Sequence, residues 1–344
     1  LAAANGHSAR RKLAVTGVID NAAMARCVSM RDSVVLMKCK EDAMQATIEQ
    51  IKQAVANWSI EVTPAGASKI DSFADCLHPG TTVNVTFLPG SDPMDTVAVS
   101  ERLHNEGMNP VPHLAARSLR DSDQLDALLA AYTSRAGVNE VLVIGGGVDQ
   151  PVGAFADSMQ VLETGLIQRH GIQNIGVAGH PEGSPDISKS EIAEALAAKN
   201  ALAKRDGLNM YIETQFCFEA DIVLAWERDV RAAGNQLPIR IGVPGPATIK
   251  TLFRFAQISG IGPSMRFISK QARNVAKLMT VQSPHLLLAD LAAGMVADQD
   301  CLIQHMHFYP FGGFAKTAAY ASAIANGDIR MLPKGGFDVT HTAA

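Results

Sequence analysis

Apolar residues along this chain gather into eight short runs, SIEVTP, TVNVTFL, PVPHLAAR, EVLVIGGG, NIGVAGHPEG, MYIETQF, IRIGVPG and HMHFYPFGG, each closing on a polar or glycine-rich turn. They recur at intervals of roughly thirty residues, with helical patterns between them. Eight such units predict an α/β fold, a (β/α)8 TIM barrel, in which the C-termini of all parallel strands open on one face. VLVI, IGVA and RIGV show almost no polar alternation, as parallel strands do when helices cover them outside and side-chain layers fill the inside.

The intervening segments DSDQLDALLAAYTSR, ISKSEIAEALAAKNALAKR and FEADIVLAWERDVRAAG open on Ser or Asp and close near Gly, which marks capped helices. SPHLLLADLAAGMVADQD predicts a further helix inside the longest connection, residues 259–300. Ahead of the first strand, EDAMQATIEQIKQAVANW sets Met44, Ile48, Ile51 and Val55 at helical spacing, with Glu41 and Asp42 at its start. That predicts an amphipathic helix over 41–56 covering the bottom of the barrel. Residues 1–40, with the strand-like SVVLMK and the weakly patterned LAVTGVI, read as an N-terminal extension packed on a barrel formed by residues 41–344.

Composition narrows the function classes. The chain has 344 residues, 47% of them hydrophobic, a formal charge of −4, and no dense Lys/Arg cluster. It lacks the electrostatic footprint of a nucleic-acid binder, and a small-molecule substrate is the better expectation. No apolar stretch approaches the ~20 residues that span a bilayer. Five widely spaced cysteines without a CxxC pair point to a reduced, cytoplasmic setting. The start, LAAANGHSARRKLA, reads as a disordered tail, the alternative being an organellar presequence.

The barrel face gathers Glu61, Thr86, His113, the Gly145–Gly147 run, His180, Gln215 and Tyr309. Glu61 stands among Ile60, Val62 and Pro64, and apolar burial would keep its carboxyl protonated as a general acid; a rim ion pair is the other reading. Gln215 offers a neutral donor and acceptor for an amide-like ring edge, or an ordinary loop hydrogen bond. Arg117 suits a carboxylate or phosphate, or a surface ion pair. His305 and His307 share one strand face, as in metal-hydrolase barrels, yet the first strand has no HxH to complete such a set and no metal is assigned. GGGVDQPVG lacks GxGxxG spacing, so it is either a tight rim turn or a phosphate cradle rather than a Rossmann fingerprint.

Taken together, SIEVTP with Glu61, VNVTF with Thr86, PHL with His113, the glycine turn after VLVI, HPEGSP, TQFCFE with Gln215, GVPGP and HFYPFGG resemble the methylenetetrahydrofolate reductases over roughly residues 57–327. These are flavin-linked barrels that reduce 5,10-methylenetetrahydrofolate to 5-methyltetrahydrofolate. The resemblance implies Glu61 as the acid that helps open the folate's five-membered ring to an iminium at N5, and Gln215 as a pterin ligand. It implies Phe255, in ATIKTLFRFAQ, as a stacking shelf at the edge of a helix whose core stripe is Ile249, Leu252, Phe253 and Ala256. Thr251 and Tyr309 fall on the same substrate side.

Departures from the family pattern cluster on the flavin. Gly147 stands where the family has an acidic residue, with Asp149 two places on, and Gly145 replaces a basic or polar residue. His180 and Ser184 occupy the two positions after the fifth strand, and the helix lysine is Lys199 or Lys204. The resemblance therefore implies FAD and NAD(P)H in either of two arrangements. In one, Gly146 and Gly147 offer backbone N–H groups to a pyrophosphate, helped by Thr86, His113, Arg117, His180, Ser184 and Lys199. In the other, no flavin binds and NAD(P)H gives hydride directly to the folate. A tetrahydrofolate-dependent methyl or one-carbon transfer protein and a non-catalytic folate-binding barrel are the further alternatives, and assembly into a homo-oligomer is left open.

Overall fold

The computed structural model describes residues 45–259 and 278–340. SVVLMK, LAVTGVI and the predicted helix-start residues Glu41, Asp42 and Met44 lie outside the described residues. In chain order the elements begin α1 (Ile48–Val55), β1 (Ser59–Val62), α2 (Pro64–Ala67), β2 (Thr82–Val85), α3 (Pro93–Asn105), β3 (Asn109–Ala115), α4 (Ser122–Ala136) and β4 (Glu140–Ile144). They continue with α5 (Ser158–Glu163), α6 (Leu166–Arg169), β5 (Asn174–Gly179), α7 (Lys189–Asp206), β6 (Asn209–Phe216), α8 (Ala220–Ala232) and β7 (Ile239–Pro244). The last are β8 (Ala247–Thr248), α9 (Ile249–Ile258), β9 (Val281–Gln282), α10 (His285–Ala297), β10 (Ile303–Tyr309), α11 (Phe314–Asn326), β11 (Ile329–Met331) and β12 (Phe337–Val339).

Eight strands close a parallel barrel in the order β1-β10-β7-β6-β5-β4-β3-β2, and these are the eight apolar runs of the sequence. β8 with β9 and β11 with β12 form small antiparallel ribbons apart from it. Helix starts follow local chemistry: the side chains of Asp92, Asp121, Asp157, Ser188 and Thr248 each accept a first-turn amide. α1 is shorter than the predicted 41–56 because Thr47 and Gln50 form a reciprocal capping box that starts it at Ile48. Ile51 and Val55 are buried as their spacing requires, whereas Ile48 is 38% exposed beside Gly327 at the C-terminal end of α11.

Strand alternation separates two environments. Ile60, Val83, Val143, Val177, Ile241 and Phe308 face the helices and form the apolar core, each contributing ~1.5–3 kcal/mol by burial. The opposite faces point into the barrel and carry Ser59, Glu61, Asn84, His113, Glu213 and His307; register sets Ser59 beside His307 and Glu61 beside Asn84, and side-chain contacts join the rest. The filling of the barrel is thus hydrogen-bonded and ionisable.

β6 carries a bulge: Glu213 pairs with Arg240 and Phe216 with Gly242, so Thr214 and Gln215 together oppose the single residue Ile241. Gly242 makes the bulge fit, since a Cβ there would lie 2.5 Å from the Thr214 carbonyl oxygen and 2.8 Å from the Phe216 nitrogen. Thr214 Oγ1 in turn accepts from the Gly242 N–H at 2.8 Å. Gly242→Ala is expected to destabilise the barrel by about 3 kcal/mol. Gly147→Ala, where a Cβ meets nothing within 4 Å, is expected to stay within about 0.5 kcal/mol. Denaturant unfolding of the two variants checks the contrast.

Candidate active site

Two polar layers fill the barrel below its mouth. In the lower, Arg240 Nη1 donates to Glu140 Oε1 at 2.6 Å, Tyr211 donates to the same oxygen at 2.8 Å, and the guanidinium lies 3.6 Å from the Tyr211 ring centroid. In the upper, Asn84 Nδ2 donates to Glu213 Oε1 at 2.5 Å, and His307 Nδ1 lies 2.8 Å from Ser59 Oγ and 3.7 Å from Glu213 Oε2. Burial raises the Glu213 carboxyl above its ordinary range. Burial alone would lower His307, but the carboxylates of Glu213 and Glu61 outweigh it and the net direction is upward. His113, 3.4 Å from Asn84, is lowered to about 4 by burial, and His305 to about 3 by burial and then by Arg240. Those two rings are neutral at pH 7.

Glu61 stands above this layer. Thr86 Oγ1 donates to its Oε2 at 3.3 Å, His307 Nε2 is 3.9 Å from the same oxygen, and the side chain is 17% exposed. This corrects the expected environment of Glu61: Ile60 and Val62, adjacent in sequence, point outward into the helix layer, and the carboxylate meets a hydroxyl and an imidazole instead. The carboxyl is placed by polar contacts and opens to the mouth.

An aromatic wall stands beside it. Tyr309 donates to the Thr214 carbonyl at 3.1 Å and packs edge-on against His307 at 5.1 Å and Phe216 at 5.3 Å. Phe311 lies 4.7 Å from Phe216 and stacks on Phe255 at 4.1 Å with 17° between the planes. Phe255 occupies the half-buried edge of α9, whose buried stripe is Ile249, Leu252 and Ala256, with Phe253 also only partly buried. Thr251 Oγ1 sits 2.9 Å from Thr248 Oγ1 in the first turn of that helix. Gln215, in the bulge, is half-buried and turns its carboxamide oxygen onto the Phe216 N–H at 3.2 Å.

The residues expected to hold a dinucleotide lie at the ends of β3 to β5. Gly146 turns at φ +92°, where a Cβ would lie 3.2 Å from that of Ala115, and Gly147 is exposed. Arg117 Nη1 donates to the Val148 carbonyl at 3.0 Å, and its buried Nε has no hydrogen-bond partner among the described residues. His180 is lowered by burial and then by Lys199; Lys199 is itself lowered by burial, with Asp157 opposing. Ser184 Oγ accepts from the Asp186 N–H at 3.3 Å. Arg117 with its orphan N–H beside the glycine turn, and Lys199 beside His180, are N–H donors of the kind that suits an anion such as a pyrophosphate. Thr86 and His113 are instead with Glu61 and Asn84.

Sequence reasoning missed Glu213, Asn84 and Ser59, and weighed His307 only as a metal ligand. Glu213 in MYIETQF gives the same signal as Glu61 in SIEVTP, a lone carboxylate inside an apolar run. Among the described residues no group of three or more His, Cys, Asp or Glu converges in a metal-holding arrangement, and no helix is long and apolar enough to cross a membrane.

Fold and site together define a (β/α)8 barrel that holds ionisable groups along the inside of its strands, with Glu61 nearest the mouth. Residues 47–310 match the family model for methylenetetrahydrofolate reductase, and the chain belongs to that family. It is 26% identical over 217 residues to methylenetetrahydrofolate reductase 2 of Saccharomyces cerevisiae, covering 59% of this chain and 34% of that protein. It is 27% identical over 237 residues to a probable methylenetetrahydrofolate reductase (NADH) of Oryza sativa subsp. japonica, covering 62% and 39%. The chain therefore spans between a third and two fifths of the length of these relatives. An uncharacterized protein from Clostridium thermocellum that binds two copies of 5-methyl-5,6,7,8-tetrahydrofolic acid shares the fold at a TM-score of 0.50 and 11% identity, covering 81% of this chain and 99% of that one.

The neutral buried histidines make stability pH-dependent. An unfolded His takes up a proton near pH 6.5, whereas folded His113 resists until about 4, so this contribution is lost as pH falls through that window, by about 3 kcal/mol at pH 4. Unfolding free energies at pH 7 and pH 4 are expected to differ less in His113→Gln than in the unsubstituted protein.

Proposed function

We propose that this barrel reduces 5,10-methylenetetrahydrofolate to 5-methyltetrahydrofolate with Glu61 as the proton donor. The observation that carries the reading is the Glu61 carboxylate, held by Thr86 and flanked by His307, at the open end of a barrel whose chain belongs to the methylenetetrahydrofolate reductase family. Glu61 gives its proton to N10 of the folate; the bond from the methylene carbon to N10 breaks, its electron pair stays on N10, and the carbon becomes an iminium at N5. A dinucleotide, reduced flavin or NAD(P)H, would when bound supply the hydride that completes the N5-methyl group. Arg117, Lys199, His180, Ser184 and the amides of Gly146 and Gly147 are the residues suited to its phosphates. Thr86 orients the acid and Gln215 addresses the pterin edge.

Phe255, Phe311 and Tyr309 give a flat apolar wall that keeps water from the reacting carbon, and Thr251 lies on the same side. Holding hydride donor and acceptor within ~3–3.5 Å replaces a random encounter by an oriented one. Free thiols at Cys76, Cys217 and Cys301 accord with a cytoplasmic setting.

Glu61→Gln is expected to leave the dissociation constant for 5-methyltetrahydrofolate within threefold and to lower turnover by roughly 10²-fold or more; unchanged turnover removes Glu61 from the chemistry. The two cofactor arrangements are separated by the visible spectrum of the purified protein. A colourless protein that turns over with NAD(P)H establishes direct transfer, and a stoichiometric yellow chromophore establishes flavin. Methyl transfer to an acceptor without any nicotinamide would replace the reductase reading.

A further inference from the structure

We propose that His307 is a positioning residue that holds, between Glu213 and Glu61, the proton that Glu61 hands to the folate. The inference rests on the reading of Glu61 as proton donor and extends it into the barrel. His307 is fully buried, and its two nitrogens face different carboxylates: Nδ1 lies 3.7 Å from Glu213 Oε2 and Nε2 lies 3.9 Å from Glu61 Oε2. Nδ1 also has Ser59 Oγ at 2.8 Å, whereas Nε2 and Glu213 Oε2 have no hydrogen-bond partner among the described residues. A histidine kept only for packing would have its ring nitrogens satisfied. Here the open nitrogen faces the proposed acid.

The charges around the ring support the same role. From β7, Arg240 is taken up by Glu140 of β4 and by Tyr211 of β6. His113 of β3 and His305 of β10 are neutral, and Tyr309 is held well above its ordinary range by burial, so it too is neutral. Asn84 of β2 donates to one oxygen of Glu213. That leaves two carboxylates, Glu61 and Glu213, with one imidazole between them, while Arg240 from the layer below still attracts Glu213 and opposes charge on the ring less than the two carboxylates favour it.

In the open barrel Glu61 reaches solvent and His307 does not, so a proton kept through the resting state has its sheltered place on the ring. When folate covers the mouth, water leaves and the separated charges on ring and carboxylate lose their solvation. A side-chain shift of about 1 Å brings Glu61 Oε2 to charge-assisted hydrogen-bond range. The N–H bond at Nε2 then breaks, its electron pair stays on the ring, and an O–H bond forms at Oε2. Both groups become neutral and Glu61 is loaded as an acid. After Glu61 has protonated the folate and product has left, solvent returns one proton to the pair.

The test begins on the ligand-free protein with 15N-labelled histidine followed by NMR from pH 5 to 9, the His307 signal being identified by its loss in His307→Gln. The ring is expected to titrate above the ordinary imidazole value of ~6.5 and to move down by about one unit in Glu61→Gln and again in Glu213→Gln. Addition of 5-methyltetrahydrofolate is expected to turn the ring neutral. In turnover, His307→Gln is expected to lower kcat at least tenfold, keep KM for the folate within threefold, and shift the pH profile. A ring that stays neutral across the range, a midpoint unmoved by Glu61→Gln, or a His307→Gln variant whose kcat and pH profile are unchanged overturns the proposal. If His307→Gln folds poorly, the His307 signal is identified instead by through-space contacts to the Tyr309 ring, 5.1 Å away, and the Glu61→Gln shift remains readable. Failure of the unsubstituted protein to bind folate counts against the functional reading, and the ligand-free titration is scored apart from it.

Discussion

A carboxylate sealed inside a closed ring of strands has to be answered from within the ring. Glu213 is 4% exposed, so its carboxyl has to be answered by Asn84, by His307 and, from the layer below, by Arg240; the first two fix the inward faces of β2 and β10. One layer down, Glu140 makes the same demand and is met by Arg240 and Tyr211. Strand register here is consequently held by charge as well as by apolar packing: a one-residue slip of β10 would turn His307 into the helix layer and Phe308 into the polar centre.

The outer layer of this design was readable from hydrophobic pattern alone. Ile60, Val83, Ile241 and Phe308 sit in apolar runs because they meet helices, and eight such runs are enough to specify a closed parallel sheet. Helix stripes such as Ile249, Leu252 and Ala256 followed from spacing for the same reason. The inner layer was harder, because convergence of distant residues is a property of closure. Ser59 and His307 are 248 residues apart in sequence yet 2.8 Å apart in space, and no local signal announces such a pair. The bulge in β6 was also invisible: simple alternation from Glu213 puts Gln215 on the inward face, whereas the inserted residue brings Phe216 into register with Gly242. Its trace in the sequence is a glycine in the neighbouring strand. The start of α1 was misplaced because acidic residues upstream suggested an early first turn, while Thr47 with Gln50 caps later.

The two sides of the mouth differ in how far residue type alone could identify them. On the side of β1, β6 and β10, aromatic rings and a carboxylate stand where the family resemblance leads one to look. On the side of β3 to β5, positions that carry side-chain donors in the family pattern hold here a glycine turn, with an arginine folded under it and a buried lysine on the helix after β5. Backbone amides carry little sequence signature, so what a glycine turn offers a ligand is main-chain geometry that a residue-by-residue comparison does not see.

The stack of Phe255 on Phe311 reaches beyond local packing. With ring centroids 4.1 Å apart, there is no gap into which a third aromatic plane can slide, so Phe311 covers one face of Phe255. Two planar reactants therefore cannot clasp this ring from opposite sides. Under the folate reading, a planar ligand that uses this ring meets it on the face away from Phe311, so a single pair of phenylalanines sets the side from which it stacks.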